Sequence, residues 1–232
     1  MQQQSALVLH VRPYRESSAI VQFLTKEHGR MAGVVRGIRG SAKRGNDIQP
    51  FSLGNLNYFG RNNLINVSSF DRAHFFSLRG DALFGGLYLL ELLNRLVAER
   101  QKEPVIFATA VSTLASMEAG HELQACLRSF ELDLLEQLGY GVVFDRDART
   151  GAPIDPSKRY EFVSLQGFVA ANGVAPAEHH GAGLLGEWLL KAHARDFSQL
   201  QTRRLTKHVV RQALQPLLGD KPLVSRKMLA PR

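Results

Sequence analysis

The chain has 232 residues with 44% hydrophobic and 22% charged side chains, the balance of an ordinary globular protein with a sizeable core. Its single cysteine excludes an internal disulfide and a metal site built from several cysteines. The sequence contains no run of about 18 apolar residues, and its N-terminus does not resemble a signal peptide. We therefore expect a cytoplasmic protein without a membrane span.

The net charge of +8 is unevenly distributed. Residues 1–72 contain ten Lys/Arg and four Asp/Glu, residues 73–190 contain nine and fifteen, and residues 191–232 contain ten and two. If the basic head and the basic tail lie close in space, they form one positive face of the kind that binds nucleic acid. A membrane-surface role is disfavoured, because no basic amphipathic helix with exposed aromatic residues is present.

Five short strand patterns occupy the N-terminal part of the chain. They cover residues 6–12, 18–25, 30–36, 51–59 and 64–70, and the turn-rich GRNN joins the last two as a hairpin. Five short strands in this order predict a small closed barrel of the oligonucleotide-binding (OB) kind, although other five-stranded barrels give the same pattern.

A basic segment follows the third strand. It contains Gly and Ser residues, four cations and no acid between Gly29 and Asn46. This composition predicts a long mobile loop that follows the backbone of a polyanion, and the alternative is a solvated connector. The four cations are Arg36, Arg39, Lys43 and Arg44.

Helical periodicity replaces the strand pattern after the barrel. Helices are predicted over residues 81–99, 104–117 and 122–138, and their short links favour a helical bundle. Helical patterns resume at 183–194 and 197–218. The predicted fold class is therefore α+β.

Two domains are predicted from this change of period. Residues 1–78 form the OB-fold domain and residues 79–232 the helical domain. Within the second domain, residues 139–176 are rich in Gly, Pro and Asp and contain two short strand patterns, which predict a small β-hairpin insertion.

Cations near aromatic residues predict nucleic-acid contacts on the barrel. The candidate residues on the barrel are Arg12, Tyr14, Arg15, Arg30, Arg36, Arg39, Lys43 and Arg44. Phe51 and Tyr58 lie in sequence near this charge, where base stacking and burial in the barrel core are both open.

A second set of candidates lies in the last long helical pattern. Four cations recur there at i, i+3 and i+4 offsets and therefore share one helix face. No Asp or Glu occurs between residues 197 and 219, so this face has no acidic partner in its own helix. The four residues are Arg203, Arg204, Lys207 and Arg211.

Arg128 differs from these cations because it lies inside the apolar pattern of residues 122–138. Glu131, three residues later, is a possible partner in a surface ion pair worth less than about 1 kcal/mol. The alternative is a groove between helices in which Arg128 binds an acidic group of an incoming peptide.

Catalytic motifs are missing from the sequence. It has no GxxxxGK[ST] phosphate loop and no GxGxxG after a strand, and spacing supports no Ser/His/Asp or Cys/His arrangement. We therefore predict a protein that is not an enzyme and has no cofactor. An RNA-binding barrel of translation or RNA processing is the alternative to a DNA-binding protein.

Several stretches resemble the bacterial recombination mediator family RecO. They are LHVRPYRESSAIVQFLTKEHGRMAGVVRGIRG, IQPF, GLYLLELLNRL, RSFELDLLEQLGYGVVF and KPLVSRKML, which together span nearly the whole chain in order. The resemblance implies an N-terminal OB barrel, a helical domain and a non-enzymatic role in recombinational DNA repair.

The resemblance also implies ligands and partners. Proteins of this kind bind single- and double-stranded DNA, anneal complementary strands, contact the acidic C-terminal tail of single-strand-binding protein and, with RecR, help load RecA. They would be associated with the nucleoid. The family's basic barrel positions correspond to Arg30, Arg36, Arg39, Lys43 and Arg44, and the tail-binding position corresponds to Arg128. Ser129 stands where some relatives have a second basic residue.

Many relatives hold a zinc ion with four cysteines after the LGYG motif. The corresponding segment of this chain, FDRDARTGAPIDPSKRYEFV, has no cysteine. The resemblance therefore predicts no zinc here and a hairpin that is held by packing alone.

Overall fold

The computed structural model describes residues 2–38, 42–60, 63–171 and 183–228, and the side chains of 42–44 and 227–228 lie outside this description. The chain forms two compact units. Unit 1 contains residues 1–123 and 220–232, and unit 2 contains residues 124–219.

Five strands of unit 1 form a closed barrel in the order β1-β2-β3-β5-β4. Only the pair β3–β5 is parallel, and the other four pairs are antiparallel. This topology is that of an OB fold and confirms the predicted fold class. The strands are β1 (Gln2–Tyr14), β2 (Ser18–Thr25), β3 (Gly29–Val35), β4 (Ser52–Phe59) and β5 (Leu64–Phe75).

Alternate side chains of these strands fill the barrel. Phe23, Leu56 and Ile65 are fully buried, and Phe23 packs on Phe70 with ring centroids 5.9 Å apart. Tyr58 is 1% exposed, and Gln4 Nε2 donates a hydrogen bond of 2.9 Å to its hydroxyl oxygen. Tyr58 is therefore a core residue whose single polar atom is satisfied inside the barrel.

Phe51 is also buried, at 5% exposure, and connects the barrel to a helix. A Cβ atom added at Gly86 would lie 2.8 Å from the Phe51 ring, so a glycine is required for this close approach. Tyr58 is thus confirmed as a residue of the barrel core, whereas Phe51 is buried against α2 outside the core cluster of the barrel, and neither ring is available to a base.

The predicted mobile loop after β3 contains a short helix, α1 (Ala42–Asp47). Two longer helices of unit 1 follow the barrel, α2 (Gly80–Leu96) and α3 (Pro104–Glu118). They contact β1 and β2 and cover that side of the barrel. Unit 1 therefore includes α2 and α3 in addition to the barrel, so the spatial grouping differs from the predicted division between residues 78 and 79.

The described residues of unit 2 combine three helices with a three-stranded sheet of order β7-β6-β8. Strands β6 and β7 form the predicted hairpin, and the short strand β8 adds a third member. The elements are α4 (Leu123–Gln137), β6 (Arg159–Val163), β7 (Gly167–Ala170), β8 (Leu184–Leu185), α5 (Gly186–His193) and α6 (Leu200–Leu218).

A last helix, α7 (Val224–Met228), returns to unit 1 and packs on α2. The carboxylate of Glu91 accepts hydrogen bonds of 2.9 Å from the backbone N–H groups of Val224 and Ser225. Glu91 therefore caps the start of α7 with a charge-assisted contact.

The segment between α4 and β6 is held by a buried carboxylate. Asp147 is 5% exposed and accepts backbone hydrogen bonds from Arg149 and Thr150, both 2.9 Å, and from Ala170 in β7 at 2.8 Å. These contacts fasten the loop to the sheet, so the expectation that packing alone holds the hairpin is wrong. The hydrogen bonds from Thr150 and Ala170 also hold the pKa of Asp147 below its usual range.

Candidate nucleic-acid interface

The outward-facing positions of the barrel strands, of which Ile20 is buried at 7% exposure, can be followed from strand to strand through the backbone register. Residues paired across neighbouring strands point to the same side of the sheet, so each set of partners forms a row on the outside. We call the two rows the outer arc. The first row is Phe59, Asn66, Val34, Ile20 and Arg12, and the second row is Leu64, Ala32, Gln22 and His10.

The β1 end of the outer arc carries an exposed cation and an aromatic ring. Arg12 is exposed, and no ion pair involves it within the described part of the chain. Two residues further along β1, the Tyr14 ring is half-buried, and the Arg15 guanidinium lies 5.1 Å from its centroid. The structure therefore brings Arg12, Tyr14 and Arg15 together, as the prediction for a strand-binding surface requires.

Arg30 is held by the fold. Its Nε donates to the carbonyl oxygen of Val97 at 3.1 Å, and its Nη1 donates to Gln22 Oε1 at 3.1 Å and lies 2.9 Å from Glu99 Oε1. Its side chain is 18% exposed. Arg30 therefore contributes little positive potential to the surface, because Glu99 neutralises it locally.

Arg36 is exposed at the end of β3, two residues after Val34 in the outer arc. It borders a cavity of about 530 Å³ that Arg72, Asp47 and Asp71 also line. The cavity thus combines cations with acids, unlike the arc itself. Arg39 lies outside the described residues, and Lys43 and Arg44 lie in α1 with side chains that are outside the description.

Helix α6 carries the second predicted cluster. Arg204 and Arg211 are exposed, and the exposed residue between them is His208. Lys207 is half-buried, and Arg203 Nη1 donates to the carbonyl oxygen of Phe197 at 3.1 Å. The exposed charge of α6 therefore resides mainly on Arg204 and Arg211, whereas Arg203 also supports the turn before the helix.

Arg128 forms an ion pair with Glu131, but the pair is buried. The two residues are 3% and 1% exposed, and both contacts between guanidinium and carboxylate are 3.0 Å. The interpretation of this pair as a surface ion pair is therefore wrong. Arg128 Nε is buried and has no acceptor among the described residues. Two cavities of unit 2, of about 420 and 460 Å³, do not have Arg128 in their described lining.

Phe59, the last residue of β4, was not among the sequence candidates. Its ring is 53% exposed, and Leu64 at the start of β5 is 40% exposed. The alternation in β4 contained the signal, because inward positions 56 and 58 place residue 59 outside, where an aromatic residue has no role in the core.

Two other features are absent from the described residues. They contain no group of three or more His, Cys, Asp or Glu residues arranged to hold a metal ion. None of their helices has the length and apolar character needed to cross a membrane.

The barrel, the helical region and the small sheet together define an OB-fold protein with a C-terminal helical extension. Two family models match the amino-acid sequence. Recombination protein O N terminal matches residues 1–76, and Recombination protein O C terminal matches residues 78–227. The chain therefore belongs to the RecO family, which acts in recombinational DNA repair.

Curated relatives support this assignment over almost the full length. The DNA repair protein RecO of Pseudomonas paraeruginosa is 41% identical over 230 residues, which are 99% of this chain and 95% of the relative. The proteins of the same name from Psychromonas ingrahamii and Cellvibrio japonicus are 36% and 35% identical, cover 97% and 98% of this chain, and are each matched over 96% of their own length.

Proposed function

We propose that this protein is a DNA-binding recombination mediator without a catalytic step of its own. It binds single- and double-stranded DNA, anneals complementary strands, docks on the tail of single-strand-binding protein and, with RecR, helps load RecA in the nucleoid. The family assignment supports the setting in DNA repair. The observation that carries DNA binding is the pair of exposed cationic surfaces, around Arg12 on the barrel and around Arg204 and Arg211 on α6.

These surfaces suit a ligand that is held by its phosphates. On the barrel, Arg12 and Arg15 lie beside Tyr14, and the neighbouring basic segment adds Arg36, Arg39, Lys43 and Arg44 as proposed contacts. Arg30 is proposed on the resemblance alone, since its charge is paired with Glu99. On α6, Arg204 and Arg211 are the principal contacts and Arg203 and Lys207 flank them.

Strand annealing follows physically from such surfaces. Two single strands repel each other through their phosphates, and cations that neutralise both backbones lower this repulsion and raise the local strand concentration. Annealing therefore needs no reactive group and no bound nucleotide. An assay for magnesium-dependent cleavage of DNA is expected to give no product.

DNA binding is tested by its salt dependence. Each neutralised phosphate releases condensed counterions, so the logarithm of the affinity falls linearly with the logarithm of salt concentration. We expect a loss of about 10²-fold or more between roughly 50 and 200 mM salt for single- and double-stranded oligonucleotides of equal length. An affinity that barely changes with salt would contradict the proposal, and tighter binding of RNA than of DNA would favour the alternative RNA-binding function.

The docking of the single-strand-binding protein tail is proposed at Arg128. Its support is the position of Arg128 on α4 and the donor Nε that has no acceptor in the described structure. Because the guanidinium is buried against Glu131, an acidic peptide would have to reach Nε or compete with that carboxylate. Titration of Arg128→Lys with the tail peptide tests this, since Lys keeps the charge and loses the forked geometry. We expect weaker binding at an unchanged fold, and equal affinity would remove Arg128 from the site.

A further inference from the structure

We propose that His208 is a third phosphate contact on α6, and that the binding of DNA to this helix is coupled to the uptake of a proton by the His208 imidazole. This inference rests on the proposed DNA binding and deepens it, because it adds a binding residue whose charge depends on pH.

His208 lies between the two exposed arginines of α6. Arg204, His208 and Arg211 are all exposed and follow each other at intervals of four and three residues. Because an α-helix has about 3.6 residues per turn, these intervals place the three side chains on one face. At a rise of about 1.5 Å per residue they span about 10.5 Å of the helix axis. One strand of duplex DNA has a phosphate about every 3.4 Å of its axis, so this length matches about three consecutive phosphates.

A neighbour on the same helix holds the His208 ring. His208 Nε2 lies 2.8 Å from Gln212 Nε2, and an amide NH₂ group can only donate, so the ring nitrogen is the acceptor. The imidazole in this arrangement is neutral and has its proton on Nδ1. When Nε2 is protonated, the Gln212 amide can turn over and accept from it through Oε1. Gln212 therefore serves both protonation states, and Nδ1–H is a donor for a phosphate oxygen in each.

Helix α6 offers no acid that would pair with a protonated His208. The helix contains no Asp or Glu, and no ion pair involves His208 within the described part of the chain. Phosphates bound to Arg204 and Arg211 bring negative charge to both sides of the ring, and a nearby negative charge favours a protonated imidazole. Histidine is the side chain that ordinarily changes charge between about pH 5 and 8. Proton uptake and DNA binding therefore strengthen each other, because linked binding equilibria are reciprocal.

Charged groups on the neighbouring elements are mostly occupied. The charged and titratable residues of α5 and of the β6–β7 hairpin, which both contact α6, are Arg159, Glu161, Glu187, Lys191 and His193. Glu187 and Lys191 form an ion pair of 2.9 Å with each other. The cavity beside α6 adds Arg146 and Asp147, and the Asp147 carboxylate accepts from three backbone N–H groups. Glu161 is exposed, and its removal is therefore one of the controls.

The pH dependence of the DNA affinity tests this contact. In about 0.1 M salt we expect the wild type to bind a duplex oligonucleotide roughly fivefold to tenfold more tightly at about pH 5.5 than at about pH 8, because one more neutralised phosphate adds about 0.9 to the salt slope. His208→Gln keeps a polar side chain that cannot become charged, so its affinity at both pH values should be close to that of the wild type at the higher pH. His208→Arg has a permanent charge and should show the higher affinity at both. Circular dichroism at the two pH values checks that each variant is folded.

Two exposed histidines and one exposed acid provide matched controls. His193→Gln in α5 and His121→Gln after α3 each remove an exposed imidazole elsewhere on the chain. Glu161→Gln removes the exposed acid of the hairpin. All three variants should keep the wild-type dependence of DNA affinity on pH.

Calorimetry measures the proton directly. At about pH 7, the binding enthalpies in PIPES and in Tris differ in proportion to the number of protons taken up, because the two buffers release protons with different heats. We expect the wild type to take up more protons on binding duplex DNA than His208→Gln and His208→Arg, and these two variants should agree with each other.

The outcomes distinguish this inference from the proposed function. If His208→Gln shows the same pH dependence and the same proton uptake as the wild type, His208 is not the coupled contact and the inference is overturned, while DNA binding itself stands. If His208→Gln weakens binding equally at both pH values, His208 contacts DNA without a proton, which also overturns the inference. If the wild type binds no DNA at either pH and at any salt concentration, the proposed function fails.

Discussion

Helices α4 and α6 both carry arginines in unit 2, and they use them in opposite ways. In α4, Glu131 lies three residues after Arg128, and the two form a buried pair at 3.0 Å. In α6 no acid is present, and Arg204 and Arg211 are exposed. The difference is that Arg128 has a carboxylate partner on its own helix, whereas Arg204 and Arg211 have none on theirs.

Breaking the α4 pair should give the largest effect. Arg128→Met leaves the Glu131 carboxylate in a buried position without its arginine, and we expect a loss of about 3–5 kcal/mol in the free energy of unfolding. Replacement of both residues, Arg128→Met with Glu131→Leu, should restore most of this stability because no buried charge is left. Urea unfolding followed through Trp188, which lies in α5 of unit 2, measures both variants.

If the single and the double variant are equally unstable, the prediction for the buried pair is wrong, since the loss of stability would then come from packing. It also fails if Arg128→Met unfolds at the wild-type urea concentration, because the pair would then be dispensable to the fold.

Asp147 should give the next largest effect. The Asp147 carboxylate accepts hydrogen bonds from three backbone N–H groups. Asp147→Asn keeps the size of the side chain but replaces one of the two accepting oxygens by an NH₂ group. We expect the free energy of unfolding of unit 2 to fall by about 2–3 kcal/mol. Because the pKa of Asp147 is lowered in the folded chain, the stabilisation is complete above the unfolded pKa of about 3.9 and disappears as the pH falls through the lower, folded value.

Trp188-monitored unfolding between neutral pH and about pH 2.5 measures this dependence. The stability gap between wild type and Asp147→Asn should close as the solution becomes acidic. A gap that stays constant with pH would show that the carboxylate charge does not stabilise the loop. Asp145 is half-buried and lies in the same segment, so Asp145→Asn is the matched control.

The α6 face should give a moderate effect that is confined to binding. In the double variant Arg204→Ala/Arg211→Ala we expect the salt slope of DNA binding to decrease by about 1.8 for double strands and by about 1.4 for single strands. The urea midpoint stays at the wild-type value, in contrast to the α4 variants. Gln215→Ala, another exposed position of α6, should change neither quantity. An unchanged slope in the double variant would assign DNA binding to the barrel alone.

The smallest effect is expected at Arg30, which resembles Arg128 in having an acidic partner. Its ion pair with Glu99 is partly exposed, so Glu99→Gln should change the free energy of unfolding by less than about 1 kcal/mol. We expect Arg30→Ala to weaken DNA binding less than Arg12→Ala does, measured by titration at one salt concentration. An equal loss in the two variants would show that DNA competes successfully for Arg30.

The barrel could be predicted from sequence because each of its strands carries a local signal. The alternation of apolar residues and the turn residues between strands depend on neighbours along the chain, and the predicted strands at 18–25 and 51–59 lie within one residue of β2 and β4. The long helices were predictable for the same reason, with Pro104 marking the first residue of α3.

The fate of individual charges could not be predicted, since their partners come from distant parts of the chain. Glu99 meets Arg30 from 69 positions away, and Ala170 binds Asp147 from 23 positions away. Arg128 and Glu131 are close in sequence, yet their burial depends on how α4 packs in the folded chain. The exposure of Phe59 could have been predicted from the alternation of β4, but only after the inward-facing positions of that strand were known.

The hydrogen bonds of the Asp147 carboxylate hold the loop to the sheet without a thiol group. A loop anchored by cysteine thiolates would be sensitive to oxidants, which convert thiolates to sulfenic acids and disulfides. A carboxylate takes part in none of these reactions. The loop that Asp147 fastens to β7 therefore has an anchor that does not depend on the redox state of its surroundings.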